Sequence, residues 1–229
     1  MNPVRPAAWI LLAALSASFA ATASAQIVTS NLLTNPGAES GNLSGWSVAA
    51  GNPMVDTGLF DPGINPRTGG FDFSGGSANP LGQLSQTIDL IASGQVTALQ
   101  LDSGLVTADA SFWEQGLNQA LTSDNAAIKL TFLDAMGSVL GTITSSTIDS
   151  NTGSWANGTL SSISVPVLTR SITYTMLFQR NVGSDNDSFI DDNSLTLTIP
   201  VPEPSSVALL LAGLPCLVVA GLRRRKILR

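Results

Sequence analysis

Alternation of apolar and polar side chains dominates the chain between residues 26 and 200. Ile172, Tyr174, Met176 and Phe178 fall on one face, and Thr173, Thr175 and Gln179 on the other, with Leu177 the one apolar residue on that second face. Ile128, Leu130 and Phe132 alternate with Lys129 and Thr131; Leu84, Gln86, Ile88 and Leu90 alternate with Ser85, Thr87 and Asp89. Val106 to Trp113 and Val139 to Thr144 add two more such segments. A period of two is that of a pleated strand with one buried face, and helical periodicity is nearly absent. Asp134-Ala135-Met136-Gly137 carries turn residues between two of these runs, which predicts a hairpin of Ile128–Leu133 with Val139–Thr144. Gly51 to Pro80, rich in Gly, Pro and Asp, reads as a long loop wrapping the strands. Residues 114–126 read as a second loop with room for a short helical turn. Many short strands separated by Ser, Thr, Asn and Gly predict an all-β fold, a jelly-roll β-sandwich. No internal repeat interrupts this pattern.

The two ends depart from it. Arg5 precedes an apolar run from Ala7 to Ala14, and Ala23-Ser24-Ala25 is a small-residue cleavage site with Gln26 next. Residues 1–25 therefore read as a secretory signal peptide, cut by signal peptidase between Ala25 and Gln26. At the other end, Val201-Pro202-Glu203-Pro204-Ser205 leads into an apolar run from Val207 to Leu222 and then Arg223-Arg224-Arg225-Lys226. As a helix this run would span ~24 Å at ~1.5 Å per residue, short of a hydrocarbon core of roughly 30 Å. Snorkelling flanks or local thinning close that gap. The basic cluster would remain cytoplasmic, placing Pro204 and all that precedes it outside. Each proline fixes its own φ and keeps its predecessor extended, so the Pro-Glu-Pro segment is stiff and open to a protease. The chain thus divides into a signal peptide (1–25), an ectodomain (26–200) and a tail (201–229). Within the tail, 201–205 is the motif, 206–222 a transmembrane helix and 223–229 a basic end. This order resembles the PEP-CTERM sorting signal of exopolysaccharide-producing Gram-negative bacteria. The resemblance implies anchoring in the inner membrane until an exosortase cuts near the motif. It also implies that the cut protein would pass to the cell surface or extracellular matrix.

Charge narrows the functional classes. Only Arg67, Lys129, Arg170 and Arg180 lie in the ectodomain, whereas all sixteen acids lie between Glu39 and Glu203, a balance of about −12 for the exported part. A chain so poor in Lys and Arg is not built to hold nucleic acid, while its carboxylates suit calcium. Its single cysteine, Cys216, lies in the tail, so the ectodomain has no disulfide. It contains no histidine, which removes Ser-His-Asp and Cys-His catalysis and the H-E-x-x-H zinc site.

Two segments at opposite ends of the ectodomain bear on one site. Asn31-Leu32-Leu33-Thr34-Asn35-Pro36-Gly37-Ala38-Glu39, followed by Gly41 and Gly45-Trp46, resembles the opening of galactose-binding-like jelly rolls, which include many carbohydrate-binding modules. Ala38 stands where an aromatic is usual. Phe189-Ile190-Asp191-Asp192-Asn193-Ser194-Leu195 is similar to the last strand of that fold, with Asn193 in place of the usual Val. Leu84 to Ile88 and the Phe132–Gly137 hairpin fit between them, so the likeness covers most of residues 31–198. It implies that the first and last strands are close and that Glu39 converges with Asp191 and Asp192 on a structural calcium ion. The other reading is that these acids cap backbone amides at strand ends. Regular alternation puts Asp191 on the side of Leu195 and Leu197. Asp185-Asn186-Asp187 is a second acidic cluster and reads as a turn. Trp46 belongs to the structural motif and is expected in the core. Trp113, ending one strand, and Trp155, in a polar stretch, are the candidate sugar platforms, with burial under a loop the alternative for each; Phe71 and Phe73 are weaker candidates.

Three classes of function stay open. The first is a non-catalytic surface or matrix protein with exopolysaccharide as its ligand. The second is a structural or adhesive surface protein without sugar affinity. The third, ranked last, is a glycosidase drawing two carboxylates from Asp102, Asp109, Glu114 and Asp124.

Overall fold

The computed structural model describes residues 25–119, 123–150 and 154–201. All of the expected signal peptide except Ala25, Pro202 to Ser205 of the sorting motif, and the expected transmembrane helix and basic end lie outside the described residues. Within them are eleven strands and one helical turn. In chain order these are β1 (Gln26–Val28), β2 (Ser47–Ala50), β3 (Met54–Asp56), β4 (Asp72–Gly76), β5 (Leu81–Asp89), α1 (Ala98–Leu101), β6 (Thr107–Gly116), β7 (Asn125–Leu133), β8 (Val139–Thr144), β9 (Ala156–Ser164), β10 (Ser171–Gln179) and β11 (Asn186–Pro200).

They form two antiparallel sheets. One runs β3-β4-β11-β6-β9, with β1 pairing the end of β11; the other runs β2-β5-β10-β7-β8. Apolar alternation dictates this layering, because each sheet has one face to bury. Ile172, Tyr174, Met176 and Phe178 of β10 meet Leu84 and Ile88 of β5 and Ile128, Leu130 and Phe132 of β7 in one core. Ala108, Ala110, Phe112, Leu195 and Leu197 close that core from the facing sheet. Trp46 is buried as expected, edge-on to Phe73 and Tyr174 at 5.5 and 5.9 Å between ring centroids, with its indole N–H donating to the Asn35 carbonyl (3.0 Å). The β7–β8 hairpin forms where the Asp-Ala-Met-Gly turn placed it.

Two expectations are corrected. The Gly51–Pro80 segment is not one long loop: it contains β3 and β4, which extend the first sheet beyond β11. All five residues of β4, Asp-Phe-Ser-Gly-Gly, are buried, so no polar face announces the strand. Glycine is required at its end: Gly76 has φ +83°, and a Cβ there would lie 2.0 Å from the Asn52 carbonyl. Strand structure also extends into 114–126, where β6 continues to Gly116 and β7 begins at Asn125. The helical turn lies instead at Ala98–Leu101, where Thr97 and Gln100 form a capping box.

The third correction concerns β11. Alternation assigned Asp191 to the side of Leu195 and Leu197. Between Asp191 and Ser194, however, the register with β6 shifts by a β-bulge, and Asp192 takes a positive φ of 47°. One extra residue reverses parity. Asp191 thus shares the outer face with its partner Trp113, and Ser194 with Ser111. Asn193 turns into the core. Its amide donates to the Pro36 carbonyl (2.8 Å), and its Oδ1 accepts from the Tyr174 hydroxyl (2.8 Å), with the Ser111 carbonyl 3.1 Å from the same hydroxyl. Burial raises the Tyr174 pKa well above its ordinary value and keeps the donor protonated.

Tyr174→Phe keeps the ring and removes the hydroxyl that donates to Asn193 Oδ1. The substitution is expected to destabilise the domain by about 1–3 kcal/mol in urea denaturation, the cost of a buried acceptor left unpaired.

Candidate functional site

The bulge and the added strands create a row of side chains across the outer face of the first sheet. Asp56 of β3 pairs with Asp72 of β4. One step beyond the Phe73–Ile190 pair, Asp72 is level with Asp191 of β11. Asp191 pairs with Trp113 of β6, and Trp113 with Asn157 of β9. Three carboxyls and an indole thus stand side by side, drawn from four strands spread between residues 56 and 191.

The loop from 67 to 71 lies on this row and is held by carboxylates from both ends of the domain. Asp191 Oδ2 accepts from the amides of Arg67 (2.9 Å) and Thr68 (3.2 Å). Glu39 accepts from the amides of Gly70 (3.1 Å) and Phe71 (3.3 Å). Asp192 accepts from the Thr68 hydroxyl (2.8 Å) and pairs with the Arg67 guanidinium. That guanidinium also covers Trp113, 3.7 Å from the ring centroid. Gly69 makes the Glu39 contact possible: its φ is +65°, and a Cβ there would sit 2.2 Å from the Glu39 carboxyl carbon. Glu39 and Asp191 thus meet the backbone, and Asp192 the side chains, of one loop whose role the sequence did not reveal.

Beneath this loop lies Asp72, which sequence reasoning did not single out. It is fully buried, and neither carboxyl oxygen has a hydrogen-bond partner among the described residues. Burial first, then the charges of Asp56, Asp191 and Glu39, push its pKa up to about 8. Burial, opposed by its amide contacts, pushes Asp191 up to about 7. Asp56 is satisfied by the amides of Gly58, Leu59 and Phe60. Among the described residues, no group of three or more Asp, Glu, Cys or His side chains is arranged to hold a metal ion as it stands. The two orphaned oxygens of Asp72, with Asp191 and Glu39 nearby, are nevertheless hard oxygen donors of the kind calcium takes.

Beyond Trp113 the same outer face forms a polar trough of about 190 Å³. It is lined by Asp109, Ser111, Thr159, Ser161, Ser194 and Thr196, with Ala110 and Leu160 contributing. Trp113 and Trp155 are both half-buried. Trp155 donates through its indole N–H to the Asn65 carbonyl (3.2 Å), which fixes it against the 57–71 segment. Phe73 is a core residue.

The four acids weighed for catalysis are dispersed. Asp102 pairs with Arg170 where β11 ends, and Asp109 accepts from the Ser162 amide on the outer face. Asp124 accepts from the amides of Asn181, Val182 and Asp187 at the opposite end. Glu114 is fully buried, accepts from the Ser150 amide and has its pKa pushed up to about 8, chiefly by burial. In the second acidic cluster, Asp185 accepts from the Ala78 amide, while Asn186 and Asp187 open β11 rather than forming a turn.

The PEP-CTERM protein-sorting motif matches residues 200–226. A signal of this class implies export and a membrane-anchored C-terminus; among the described residues no helix is long and apolar enough to cross a membrane. Among curated proteins nothing matches the chain. Among solved structures the chain is similar to a tailspike protein domain of bacteriophage CBA120, at 16% identity and a TM-score of 0.51 over 72% of this chain and 21% of that one. It is also similar to TmCBM61, solved with β-1,4-galactotriose (22% identity, TM-score 0.47, 73% of this chain and 98% of that one). A family 16 carbohydrate-binding module gives 14% identity and a TM-score of 0.49 over 72% and 99%. The described residues thus form a β-sandwich, and a sorting-motif match follows at its C-terminal end.

Without added metal, Asp72 makes a testable contribution to pH dependence. A carboxyl with a higher pKa folded than unfolded binds more protons when folded, so stability falls as pH climbs from about 4 through about 8. In EDTA, urea denaturation should show lower stability at pH 8 than at pH 5, and Asp72→Asn should reduce that loss.

Proposed function

We propose that this is an exported, non-catalytic surface protein whose sandwich binds exopolysaccharide on the outer face of the first sheet. It would be anchored and then processed by an exosortase-type enzyme at its sorting tail. One observation carries the binding part of this reading: the hydroxyl-lined trough lies directly beside Trp113 on an outer sheet face. Sugars need both hydrogen-bonding groups and an apolar face. Arg67 covers the indole, so the trough is the primary contact surface, and the ring stands two positions along β6 from its Ser111. The names of the similar modules agree in kind with such a ligand, but the argument rests on the trough.

A calcium ion would complete the site. Glu39, Asp72 and Asp191 would hold it, with Asp192 at its margin, and it would neutralise the buried Asp72 carboxylate, for which the described residues supply no donor. The ion's role would be structural. It would fix the 67–71 loop, and through Arg67 the face of Trp113. The exported chain should gain thermal stability on calcium addition at pH 8. That gain should vanish in Glu39→Ala and shrink in Gly69→Ala, whose new Cβ displaces Glu39; calcium titration followed by thermal melting checks both.

Binding is tested by pull-down of the exported chain on purified exopolysaccharide of the producing organism, with calcium and then with EDTA. Saturable binding is expected. Ser194→Trp, which fills the trough, should abolish it, and Trp113→Ala should weaken it by about tenfold, the cost of losing an aromatic anchor. Absence of binding in both conditions would leave a structural surface protein as the better reading.

A further inference from the structure

Large exposed apolar side chains are distributed unevenly over this sandwich. Ile91, Leu99 and Leu105 lie on the 90–106 connection, Met136 at the tip of the β7–β8 hairpin, and Val167 and Leu168 on the turn between β9 and β10; Leu99 and Met136 are 84% and 91% exposed. Strand register puts all three loops at one pole, because Asp89 pairs with Ser171, Ser171 with Leu133, and Thr107 with both Thr198 and Ser164. That is also the pole where β11 ends. There Ile199, Pro200 and Val201 line a cleft of about 410 Å³ together with Leu99 and Leu105. Apolar patches of this kind mark interaction sites.

Charge is distributed the other way. Acids of the exit pole are engaged locally: Asp89 by the amides of Ile91 and Ala92, Asp134 by those of Met136 and Ser138, and Asp102 by Arg170. Asp61, Asp124, Asp185 and Asp187 crowd the opposite pole, where burial first and then mutual repulsion raise the pKa values of Asp61 and Asp187.

The sequence beyond Val201 supplies the occupant of the apolar pole. Only residues 202–206, two of them prolines, separate Val201 from the apolar run that begins at Val207. Five residues reach at most ~18 Å at ~3.6 Å each. We propose that, while the tail is inserted, the domain stands on the bilayer by its exit pole, with its leucine- and methionine-tipped turns in the headgroup layer and its acidic pole directed away. This rests on reading the sorting tail as membrane-inserted. The short leash brings lipid to this face, and apolar tips gain by entering the interface. An anionic surface repels the far pole and so favours the same orientation.

The test uses the full chain reconstituted in vesicles of phosphatidylcholine with a minor share of phosphatidylglycerol. Cys216→Ser removes the native thiol, and Leu99→Cys, Leu105→Cys or Met136→Cys then carries an environment-sensitive fluorophore. Leu59→Cys is the control, equally exposed at 84% but remote from the exit pole. A headgroup-attached nitroxide should quench the first three labels several-fold more strongly than the control. Native Cys216, labelled in the unsubstituted chain and quenched by deep acyl-chain nitroxides, reports tail insertion separately. A quenched Cys216 label with exit-pole labels no more quenched than Leu59→Cys would overturn the proposal while leaving tail insertion intact. An unquenched Cys216 label would remove its basis and overturn it as well. Energy transfer between copies labelled at Leu99→Cys, without lipid quenching, would assign the patch to self-association instead.

Discussion

Everything about the outer face of this molecule depends on a single inserted residue in β11. A strand with strict alternation could not present Ile190 and Leu195 to one core and also place Asp191 beside Trp113. The bulge at Asp192 and Asn193 resolves this conflict. It sends Asn193 inward, where Tyr174 and the Pro36 carbonyl satisfy it, and Asp191 outward beneath the 67–71 loop. The anchor inside the core and the acidic row outside it are two results of the same change of parity.

That outer row is held together by unequal partners. Glu39 and Asp191 find amide donors on the loop above them, whereas Asp72, beneath the same loop, finds none. The loop is therefore a lid of N–H groups over an incompletely compensated patch of negative charge. Its arginine connects that patch to the indole at the end of the trough.

How much of this was legible in the sequence depends on how local the signal was. The β7–β8 hairpin was legible because alternation and turn residues occur within one short stretch. The strands around Leu84, Ile128 and Tyr174 were legible because each has a polar face to contrast with its buried one. The burial of Trp46 and the convergence of Glu39 with Asp191 followed from resemblance, not from the pattern. β4 was hidden because every residue of Asp72–Gly76 is buried, which erases alternation and leaves glycines that read as loop. Asp72 was hidden with it. The side taken by Asp191 was misread because a bulge marked by a positive φ at an aspartate leaves no trace in a count of alternating positions.

The sorting-motif match begins at residue 200, the last residue of β11. Over its length β11 is hydrogen-bonded to β6 on one edge, and to β4 and then β1 on the other, all antiparallel. A tether pulling on the tail along the strand axis would load these ladders in shear, many bonds at once, rather than unzipping them one by one. The domain is therefore wired to resist drag: flow or contact that tugs on an anchored copy would act on its most heavily paired strand, in the direction in which that strand yields least.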